Sequence, residues 1–494
     1  MKKTISLLLI LCSFVAYSSA QTNKRALRGL WVATVTNIDW PTAPGLPAEN
    51  QQAEMITLLD EMQSCNMNTI IFQIRPTADA FYKSHFEPSS HWLTGLQGKD
   101  MGYDPLQFAI DECHKRGMNI HVWLNPYRVN NDTVAYNTYA KDHIMNTHPE
   151  WVVSYGKAKY FNPGLDEVRD FTCKVVKDIV ANYDIDAIHM DDYFYPYKIA
   201  GEEFPDSLTF VNHPRGFTDK GDWRRNNVNL IIKEINEAIK SEKPWVEFGI
   251  SPFAIWRNKT EDPRGSETKA MTNYDGLYAD ILLWQEKGWI DYVLPQLYFN
   301  IGYPIADYAI LADWWSKYNY GANVYAGLAP YRVSKTAKQK EWHNPKQLVK
   351  QIRRNMSDPN LQGEIYFSAK SFYNPAYNIP ELVRKEYKIL TISPENNRIV
   401  RIEPQNPQNV SMQLEKDKYL HLKWDRGDNA KRFVIYKFRK DKPVNKDNAE
   451  NIVAVTGLTE VKLPYKDNKD LKKYRYGVTS LSPTHAESAI VYFE

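Results

Sequence analysis

Two adjacent carboxylates, Asp191 and Asp192, follow a short apolar segment and are the residues of this sequence best suited to acid–base chemistry. The segment has the length of a strand, with Ile188 and Met190 on one face and Asp191 on the other. In α/β enzymes such a strand often delivers a catalytic acid to its C-terminal end. The two carboxylates could equally cap the turn or helix that follows, and the segment alone leaves both interpretations open.

The elements around this segment alternate regularly between strands and helices. This alternation predicts parallel strands joined by helical crossovers, and eight such pairs close naturally into a (β/α)8 barrel. An open, doubly wound sheet is the alternative, but no Gly-rich phosphate-binding turn follows the first strand. We therefore predict a (β/α)8 barrel over residues 21–390, with strands at residues 28–35, 68–75, 119–125, 186–191, 246–253, 291–299, 324–331 and 364–371.

The pattern changes after residue 390, where the helical periodicity stops. Prolines and asparagines predict a linker over residues 391–405. Short alternating segments beyond it predict a small all-β sandwich over residues 406–494. Three of these segments resemble strands of fibronectin type III domains, namely Leu422 to Trp424, Phe433 to Tyr436 and Tyr476 to Thr479.

The bulk composition excludes some classes of protein and favours others. Hydrophobic residues at 43% and charged residues at 24% are usual for a soluble globular chain, and 494 residues favour two domains. A net charge of +3 gives no indication of nucleic-acid or membrane binding. The 14 tryptophans and 32 tyrosines are abundant, as on surfaces that bind sugars, although such residues also fill protein cores.

The N-terminus has the pattern of a secretory signal peptide. Lysines precede an apolar run over residues 5–15, and small residues lead to a cleavage point after Ala20. We therefore predict a signal peptide over residues 1–20 and export to the periplasm or the cell surface. Lipid anchoring at Cys12 is disfavoured, because Leu11 is bulky where a small residue is expected. No later segment is long and apolar enough to span a membrane.

Alternation within the predicted strands separates residues that face the helices from residues that face the lumen. Ile70, Phe72 and Ile74 are apolar and are expected to face the helices, so Ile71, Gln73 and Arg75 should face the lumen. In the next strand, the apolar residues at 120, 122 and 124 leave His121, Trp123 and Asn125 inside. The same rule gives six inward residues near strand ends: Asp191, Ser251, Gln296, Tyr298, Tyr331 and Lys370. So many polar positions at one end of a barrel are difficult to assign to packing, because a buried polar group without a partner costs free energy. We interpret them as the lining of a ligand site.

The loops beyond these strands combine aromatic rings with polar side chains. This combination suits a sugar, whose C–H faces stack on rings while its hydroxyls pair with amides and cations, although each ring alone could be loop packing. His189 lies one layer below Asp191, where a lone histidine is more often a hydrogen-bonded core residue than a metal ligand. The predicted substrate-binding residues are Arg75, Asn125, Tyr127, Arg128, His189, Trp256, Arg257, Gln296, Tyr298, Tyr331 and Lys370.

Hydrolysis of a glycosidic bond usually needs two carboxylates, one on each side of the bond. Asp191 is expected to face the lumen and supplies the first. Asp192 is expected to face the helix layer or a strand edge and to orient its neighbour or bind substrate. The second acid must come from a loop, and we choose Glu267. Other candidates are Glu202, Glu203, Asp39 and Asp79. Retention and inversion of the anomeric centre both stay open.

Other chemistries have little support in the sequence. No HxxxH or HExxH motif is present, which argues against a metal-dependent deacetylase or protease. No GxSxG motif is present, which argues against a serine esterase of the α/β-hydrolase kind. Cys65, Cys113 and Cys173 form no CxxC pair and are expected to be free thiols. We therefore expect neither a metal nor another cofactor.

The predicted strand ends carry an ordered set of motifs. They are Arg28-Gly29-Leu30-Trp31-Val32, Gln73-Ile74-Arg75-Pro76, Trp123-Leu124-Asn125-Pro126-Tyr127-Arg128, His189-Met190-Asp191-Asp192-Tyr193-Phe194-Tyr195-Pro196, Gly249-Ile250-Ser251-Pro252-Phe253 with Trp256-Arg257, and Pro295-Gln296-Leu297-Tyr298. This set resembles the glycosyl hydrolase-like 10 family over essentially the whole barrel. The resemblance implies a secreted glycosidase-like (β/α)8 barrel with functional acids after the fourth strand. A characterised relative acts on peptidoglycan glycan strands stripped of their peptides, which implies that substrate here.

Three hypotheses about function remain. The first is an extracytoplasmic glycoside hydrolase that uses Asp191 with a loop carboxylate, while residues 406–494 act as a spacer or contact a glycan surface. The second is a non-catalytic carbohydrate-binding protein on a degenerate barrel. The third is a surface adhesin, in which residues 406–494 alone would bind the target.

Overall fold

A computed structural model describes residues 23–131, 139–415 and 417–494 of the chain. The predicted signal peptide, with Cys12, lies outside these residues. Among the helices of the described residues, none combines the length and the apolar character needed to cross a membrane.

Eight parallel strands close into a barrel in which each strand pairs with its neighbours in chain order. They are β1 (Leu27–Val32), β2 (Thr69–Arg75), β3 (Asn119–Leu124), β4 (Ala187–Met190), β5 (Glu247–Ile250), β6 (Tyr292–Val293), β7 (Asn323–Leu328) and β8 (Leu361–Tyr366). The barrel closes where β8 pairs with β1, with Leu27 opposite Gly363 and Leu30 opposite Tyr366. The predicted (β/α)8 barrel is therefore confirmed.

A helix follows each barrel strand along the chain. These helices are α1 (Ala48–Ser64), α2 (Pro105–Lys115), α3 (Asp166–Asn182), α4 (Lys220–Glu242), α5 (Ile281–Glu286), α6 (Tyr308–Lys317), α7 (Lys346–Met356) and α8 (Ile379–Glu386). The start of α2 illustrates how local sequence sets such a boundary. Asp104 accepts a hydrogen bond from the backbone N–H of Gln107, and Pro105 occupies the first turn, where a missing N–H costs nothing.

The loops between these elements carry short secondary structure of their own. After β3, the strands Arg128–Asn130, Val152–Tyr155 and Ala158–Phe161 form a small antiparallel sheet. Short α-helical segments lie at His91–Thr94, Ile144–Thr147, Ser207–Asn212, Asn273–Gly276 and Ala369–Phe372, and 3-10 turns lie at Val35–Asn37, Pro149–Trp151, Pro330–Arg332 and Lys340–His343. These additions extend the end of the barrel at which the strands finish.

Alternating side chains separate a helix-facing core from the lumen of the barrel. Ile70 and Phe72 of β2 and Ile188 of β4 belong to the large core shared with the helices. Ile71 of β2 and Ala187 of β4 belong to a separate cluster inside the lumen. The predicted faces of these two strands are therefore correct.

Tyr292 fills the lumen one layer below the strand ends. Its hydroxyl lies 2.9 Å from Nδ1 of His121 and 3.0 Å from Nδ1 of His189. Burial lowers the pKa of His121 to about 4 and also lowers the pKa of His189. Both rings are therefore neutral at pH 7, and His189 is a hydrogen-bonded core residue.

Most of the barrel strands end earlier than predicted, and β6 and β8 fall short of their predicted ends by the most. β6 covers only the start of the predicted segment 291–299, because Pro295 has no N–H to continue the ladder and Gln296 forms only isolated bridges. β8 ends at Tyr366, and a helical turn over Ala369–Phe372 replaces the predicted end of that strand. This turn carries Lys370 out of the lumen.

The C-terminal region forms two antiparallel sheets. Its strands are β9 (Gln408–Leu414), β10 (Tyr419–Asp425), β11 (Arg432–Arg439), β12 (Ile452–Thr456), β13 (Glu460–Pro464), β14 (Tyr474–Leu481) and β15 (Val491–Tyr492), with a 3-10 turn at Ala449–Asn451 and a short helix at Asn468–Lys473. One sheet has the order β9-β10-β13 and the other β12-β11-β14-β15. Trp424 and Phe433 join the two sheets, with ring centroids 5.2 Å apart. The small all-β domain is confirmed, while its likeness to fibronectin type III stays a prediction.

The C-terminal domain contacts the end of the barrel at which the strands begin. Asp186, just before β4, accepts a hydrogen bond from Arg432 at 2.8 Å, and both side chains are buried. The Thr456 hydroxyl donates to the carbonyl of Lys115, at the end of α2, at 3.1 Å. Burial alone would raise the pKa of Asp186, but the charges of Arg432 and Lys431 hold it well below its usual value. The two domains therefore share a buried ion pair.

Candidate active site

A cavity of about 370 Å³ opens at the C-terminal end of the barrel strands. This is the end at which barrels of this type carry their active sites. Of the six strand-end residues predicted to face inward, five line the cavity: Asp191, Ser251, Gln296, Tyr298 and Tyr331. The strand alternation therefore locates most of the site.

Asp191 lies directly after β4 and is held by three donors. The indole Nε1 of Trp123 donates to it at 3.0 Å, the side-chain amide of Asn125 at 3.1 Å and the backbone N–H of Tyr193 at 3.2 Å. The residue is only 4% exposed. Burial raises the pKa of Asp191, and the charge of Arg128 together with these donors opposes the rise. The carboxylate is thus fixed in orientation and acts as an acceptor.

Asp192 lines the same cavity, although we expected it to face the helix layer or a strand edge. β4 ends before this residue, so the alternation of a strand no longer governs where its side chain points. Its carboxylate accepts a hydrogen bond from Nε2 of Gln296 at 2.9 Å and another from the hydroxyl of Tyr197. Burial, followed by the charge of Asp191, raises the pKa of Asp192 to about 6. The group therefore holds a proton in weakly acidic solution.

Aromatic rings form much of the rest of the cavity wall. Trp31, Trp123, Tyr298, Tyr331 and Phe367 all line it. Phe367 lies near parallel to Tyr298, with ring centroids 6.0 Å apart, and meets Trp31 edge-on at 5.9 Å. Flat apolar faces next to fixed polar groups suit the C–H faces of a sugar ring.

Two arginines add positive charge to the cavity. Arg128 places its guanidinium 4.6 Å from the ring centroid of Tyr193, and Arg332 lies 5.3 Å from that of Tyr331. Within the described part of the chain, neither arginine forms an ion pair with a carboxylate. An anionic group on a ligand would find both cations available.

Gln73 places a hydrogen-bond donor without a partner beside the cavity. Its Oε1 accepts from the backbone N–H groups of Thr34, at 3.0 Å, and Val35, at 2.9 Å. Its Nε2 is buried and has no protein partner among the described residues. Because a buried donor without an acceptor costs free energy, we expect a ligand oxygen or a water molecule to complete this site.

Arg75 is drawn away from the lumen. The register between β2 and β3 shifts between Gln73 and Arg75, which breaks the alternation at the end of the strand. The guanidinium of Arg75 donates to Glu87 at 2.8 Å and to the carbonyl of Asn125 at 2.5 Å. Arg75 therefore supports the loop that carries Asn125 and does not line the cavity.

Other predicted substrate-binding residues also have structural partners outside the cavity. Trp256 is buried and donates through its indole N–H to Asp280 at 3.1 Å. Arg257 pairs with Asp275 at 3.0 Å. Both interactions fix the loop after β5 and do not reach the cavity lining.

Tyr127, Asn125 and Lys370 complete the predicted set. Tyr127 is fully buried in the core outside the lumen. Asn125 is buried directly behind the cavity, where it positions Asp191. Lys370 is exposed and does not line the cavity, and its backbone N–H donates to Asp39 at 2.7 Å.

Glu267, our predicted second acid, does not lie in the cavity. Its side chain is 64% exposed and forms an ion pair with Lys259. The loop that carries it folds back on itself through a bridge between Asn258 and Ser266, which holds it away from the strand ends. The structure does not bring Glu267 together with Asp191.

The other candidate acids lie outside the cavity as well. Glu203 is exposed and pairs with Lys220 at 2.8 Å. Asp39 accepts hydrogen bonds from the loop after β8, and Asp79 is fully buried with a pKa raised by burial to about 7. Glu202 lines a neighbouring depression of about 590 Å³ that shares Val35 and Arg128 with the cavity.

Several lining residues are missing from the predicted substrate-binding set. They are Trp31, Ala33, Val35, Ile38, Gln73, Trp123, Tyr193, Tyr197, Ser251, Phe253, Phe299, Arg332 and Phe367. The strand alternation already pointed Gln73 and Trp123 into the lumen, so that signal was present. Tyr197 and Phe367 lie beyond strand ends, where no periodic pattern indicates direction.

The sequence resembles that of known glycosyl hydrolases. A model of the glycosyl hydrolase-like 10 family matches residues 26–344. The chain is 41% identical over 486 residues to glycosyl hydrolase YngK of Bacillus subtilis (strain 168), covering 96% of this chain and 94% of that protein. It is 36% identical over 371 residues to glycosyl hydrolase DigH of Escherichia coli (strain K12), covering 71% of this chain and 84% of that protein.

Among solved structures, the chain is similar to α-L-fucosidase isoenzyme 2 from Paenibacillus thiaminolyticus, with 14% sequence identity and a TM-score of 0.46. The alignment covers 74% of this chain and 49% of the fucosidase chain. The chain belongs to the glycosyl hydrolase-like 10 family and is a glycoside hydrolase.

Proposed function

We propose that this glycoside hydrolase is exported and cleaves the glycan strands of peptidoglycan, with Asp191 and Asp192 as its catalytic carboxylates. The observation that carries the catalytic part is the pair of buried carboxylates in one aromatic-walled cavity. With a pKa of about 6, Asp192 can hold a proton and donate it to a departing sugar oxygen. Export is supported by the signal pattern of residues 1–20.

The cations of the cavity support an acidic sugar as the substrate. Arg128 and Arg332 line the cavity, and no described carboxylate pairs with them. Every second sugar of peptidoglycan carries a lactyl ether, whose carboxyl group is free only after the stem peptide has been removed. A guanidinium pairs well with such a carboxylate. We therefore expect strands stripped of peptides to be better substrates than intact peptidoglycan.

The first experiment measures hydrolysis by the purified mature chain. Stripped glycan strands, intact peptidoglycan and neutral plant polysaccharides are incubated with the enzyme, and new reducing ends are counted. We expect release from stripped strands, reduced about 10²- to 10⁴-fold in Asp191→Asn and in Asp192→Asn. Binding of the strands without any new reducing ends would favour a non-catalytic carbohydrate-binding protein instead.

A second experiment tests the acidic sugar. Arg128→Gln should lower kcat/KM on stripped strands by about 10- to 100-fold, because it removes a charged hydrogen bond. On strands whose carboxyl groups have been reduced to alcohols, the same variant should lose clearly less, because only the effect of the Arg128 charge on Asp191 then remains. Arg353→Gln, on the exposed face of α7, is the matched control and should behave like wild type. An equal loss on both kinds of strand would contradict the role of Arg128 in binding a carboxylate.

A further inference from the structure

The two acids of the cavity occupy one wall. Asp191 and Asp192 are adjacent in the chain and both follow β4, and among the described residues they are the acids that line the cavity. Donors on Trp123 and Asn125 hold the first, and donors on Gln296 and Tyr197 hold the second. These hydrogen bonds hold both carboxylates on the β4 side of the cavity.

Within the described ranges, the opposite wall offers no carboxylate to the cavity. In the closed barrel, β8 lies farthest from β4, with β7 and β1 on either side of it. Trp31 of β1, Tyr331 and Arg332 after β7, and Phe367 after β8 line this side. Asp39 is nearby but is occupied by Ser368 and by the backbone of Lys370, both at 2.7 Å.

Two-carboxylate mechanisms need acids on both sides of the scissile bond. Retaining enzymes place them about 5–5.5 Å apart and inverting enzymes about 6.5–9.5 Å apart, with the sugar between them. A pair of neighbours on one wall can protonate the leaving group from one side but supplies no nucleophile on the other. The nucleophile then has to come from elsewhere, and the substrate itself is one source.

We propose that the nucleophile is the carbonyl oxygen of a 2-acetamido group on the substrate, with Asp191 receiving the amide N–H and Asp192 acting as general acid and then base. The enzyme would therefore be specific for cleavage at an N-acetylated amino sugar. This inference rests on the proposed function and adds the group that the sugar at the cleavage point must carry. This mechanism predicts that the product keeps the anomeric configuration of the substrate.

The steps balance as follows. The acetamido oxygen attacks C1 and forms the C1–O bond of an oxazolinium ring while the glycosidic C1–O bond breaks. Asp192 gives its proton to the departing oxygen, and the ionised Asp191 accepts a hydrogen bond from the positively charged ring N–H. Water then attacks C1 and opens the ring, and Asp192 takes back one proton from that water. The enzyme returns to its starting state with two displacements at C1.

The assignment of the two roles follows from their partners. Asp191 accepts from Trp123, Asn125 and the backbone of Tyr193, as a carboxylate that stays ionised would. Asp192 has fewer donors and carries the like charge of Asp191 beside it, which favours its protonated form. Gln73, with an unpaired Nε2 beside the cavity, is available to hold an oxygen of the bound sugar.

The test compares aryl glycosides of peptidoglycan-derived disaccharides that differ only in the 2-acyl group. For the series N-acetyl, N-fluoroacetyl and N-trifluoroacetyl, kcat/KM should fall about 100-fold or more as the carbonyl becomes less nucleophilic. A thiazoline analogue of the oxazolinium ring should inhibit competitively, and the product should retain its configuration by NMR. Equal rates across the series, or an inverted product, would overturn the inference while leaving the glycosidase activity intact. No hydrolysis of any glycan would instead overturn the proposed function.

Variants separate the two acids. Asp191→Asn should lose binding of the thiazoline by about 10-fold or more, because the charge that faces the ring N–H is removed. Asp192→Asn should still bind the thiazoline. Its rate of hydrolysis should fall about 10²- to 10⁴-fold for glycosides with poor leaving groups, and much less for glycosides of 4-nitrophenol, which leaves without being protonated. Glu267→Gln and Glu202→Gln should behave like wild type. A covalent sugar trapped on any carboxylate by a 2-fluoro glycoside would contradict the substrate's role as nucleophile.

Discussion

The indole N–H of Trp123 donates to Oδ2 of Asp191 at 3.0 Å, across the neighbouring strands β3 and β4. The two residues lie 68 positions apart in the chain. Trp123 is paired with His189 in the register of β3 and β4, two residues before Asp191. The indole ring of Trp123 therefore extends toward the end of the strands to contact Asp191. A single side chain therefore both closes the cavity wall and orients the carboxylate.

Trp123→Phe tests this positioning role. It keeps an aromatic ring but removes the donor, which should raise the pKa of Asp191 and lower kcat/KM by about 10-fold. The acid limb of the pH–rate profile should move to higher pH, since Asp191 must be ionised. Trp256→Phe is the control, because Trp256 is also buried and donates to an aspartate, Asp280, outside the cavity. A shift of the acid limb in both variants would contradict the specific role of Trp123.

The pKa of Asp192 predicts the alkaline limb of the profile. Burial and the charge of Asp191 raise this pKa to about 6, so the acid is protonated below that pH and loses its proton above it. With substrates that have poor leaving groups, kcat/KM should fall about tenfold per pH unit above about pH 6. A profile that stays flat to pH 8 would show that Asp192 is not the proton donor.

Glu267→Gln should leave the activity unchanged. The side chain is exposed and, among the described residues, pairs with Lys259 alone, and an ion pair so exposed to solvent contributes little. We therefore expect kcat/KM within about twofold of wild type. A loss comparable to that of Asp191→Asn would mean that the loop over residues 258–268 closes over the cavity when substrate binds.

Gln73→Glu tests the unpaired donor beside the cavity. Glutamate keeps an oxygen to accept from the backbone of Thr34 and Val35 but replaces the Nε2 donor by an acceptor. We expect KM to rise by about 10-fold or more because a substrate oxygen loses its partner. Circular dichroism and thermal unfolding check that the fold is intact. An unchanged KM would show that a water molecule, and not the sugar, occupies the donor.

Arg432→Met tests the ion pair between the domains. The variant leaves Asp186 buried with Lys431 as its remaining close cation, so the free energy of unfolding should fall by about 3 kcal/mol at pH 7. Because the pKa of Asp186 is lowered in the folded state, this stabilisation is present above about pH 4 and is lost as the pH falls through the folded-state pKa.

Denaturant unfolding at pH 7 and at acidic pH measures this difference. The double variant Asp186→Asn/Arg432→Met should recover part of the lost stability, because no charge is then left buried without a partner. Arg439→Met is the control, since that arginine of β11 forms its ion pair with the exposed Asp441. Equal destabilisation by both single variants would contradict a buried interdomain ion pair.

The sequence by itself determined the barrel and the strand end at which Asp191 faces the lumen. Parallel strands with both faces buried impose a period of two on their side chains, and this period showed that Ile71, Gln73, Trp123 and Asp191 point inward. The alternation of strands and helices then required parallel strands, whose C-terminal ends all lie at the same end of the barrel. These features depend on local spacing, which can be read along the chain.

Only the tertiary structure decided which groups meet beyond the strand ends. Asp192 enters the cavity because β4 has already ended, and its partner Gln296 is 104 positions away. Arg75 leaves the lumen because a shift in register lets it pair with Glu87. Loop paths and distant partners follow from the closing of the whole barrel, since no periodic pattern fixes a side chain where regular backbone pairing stops.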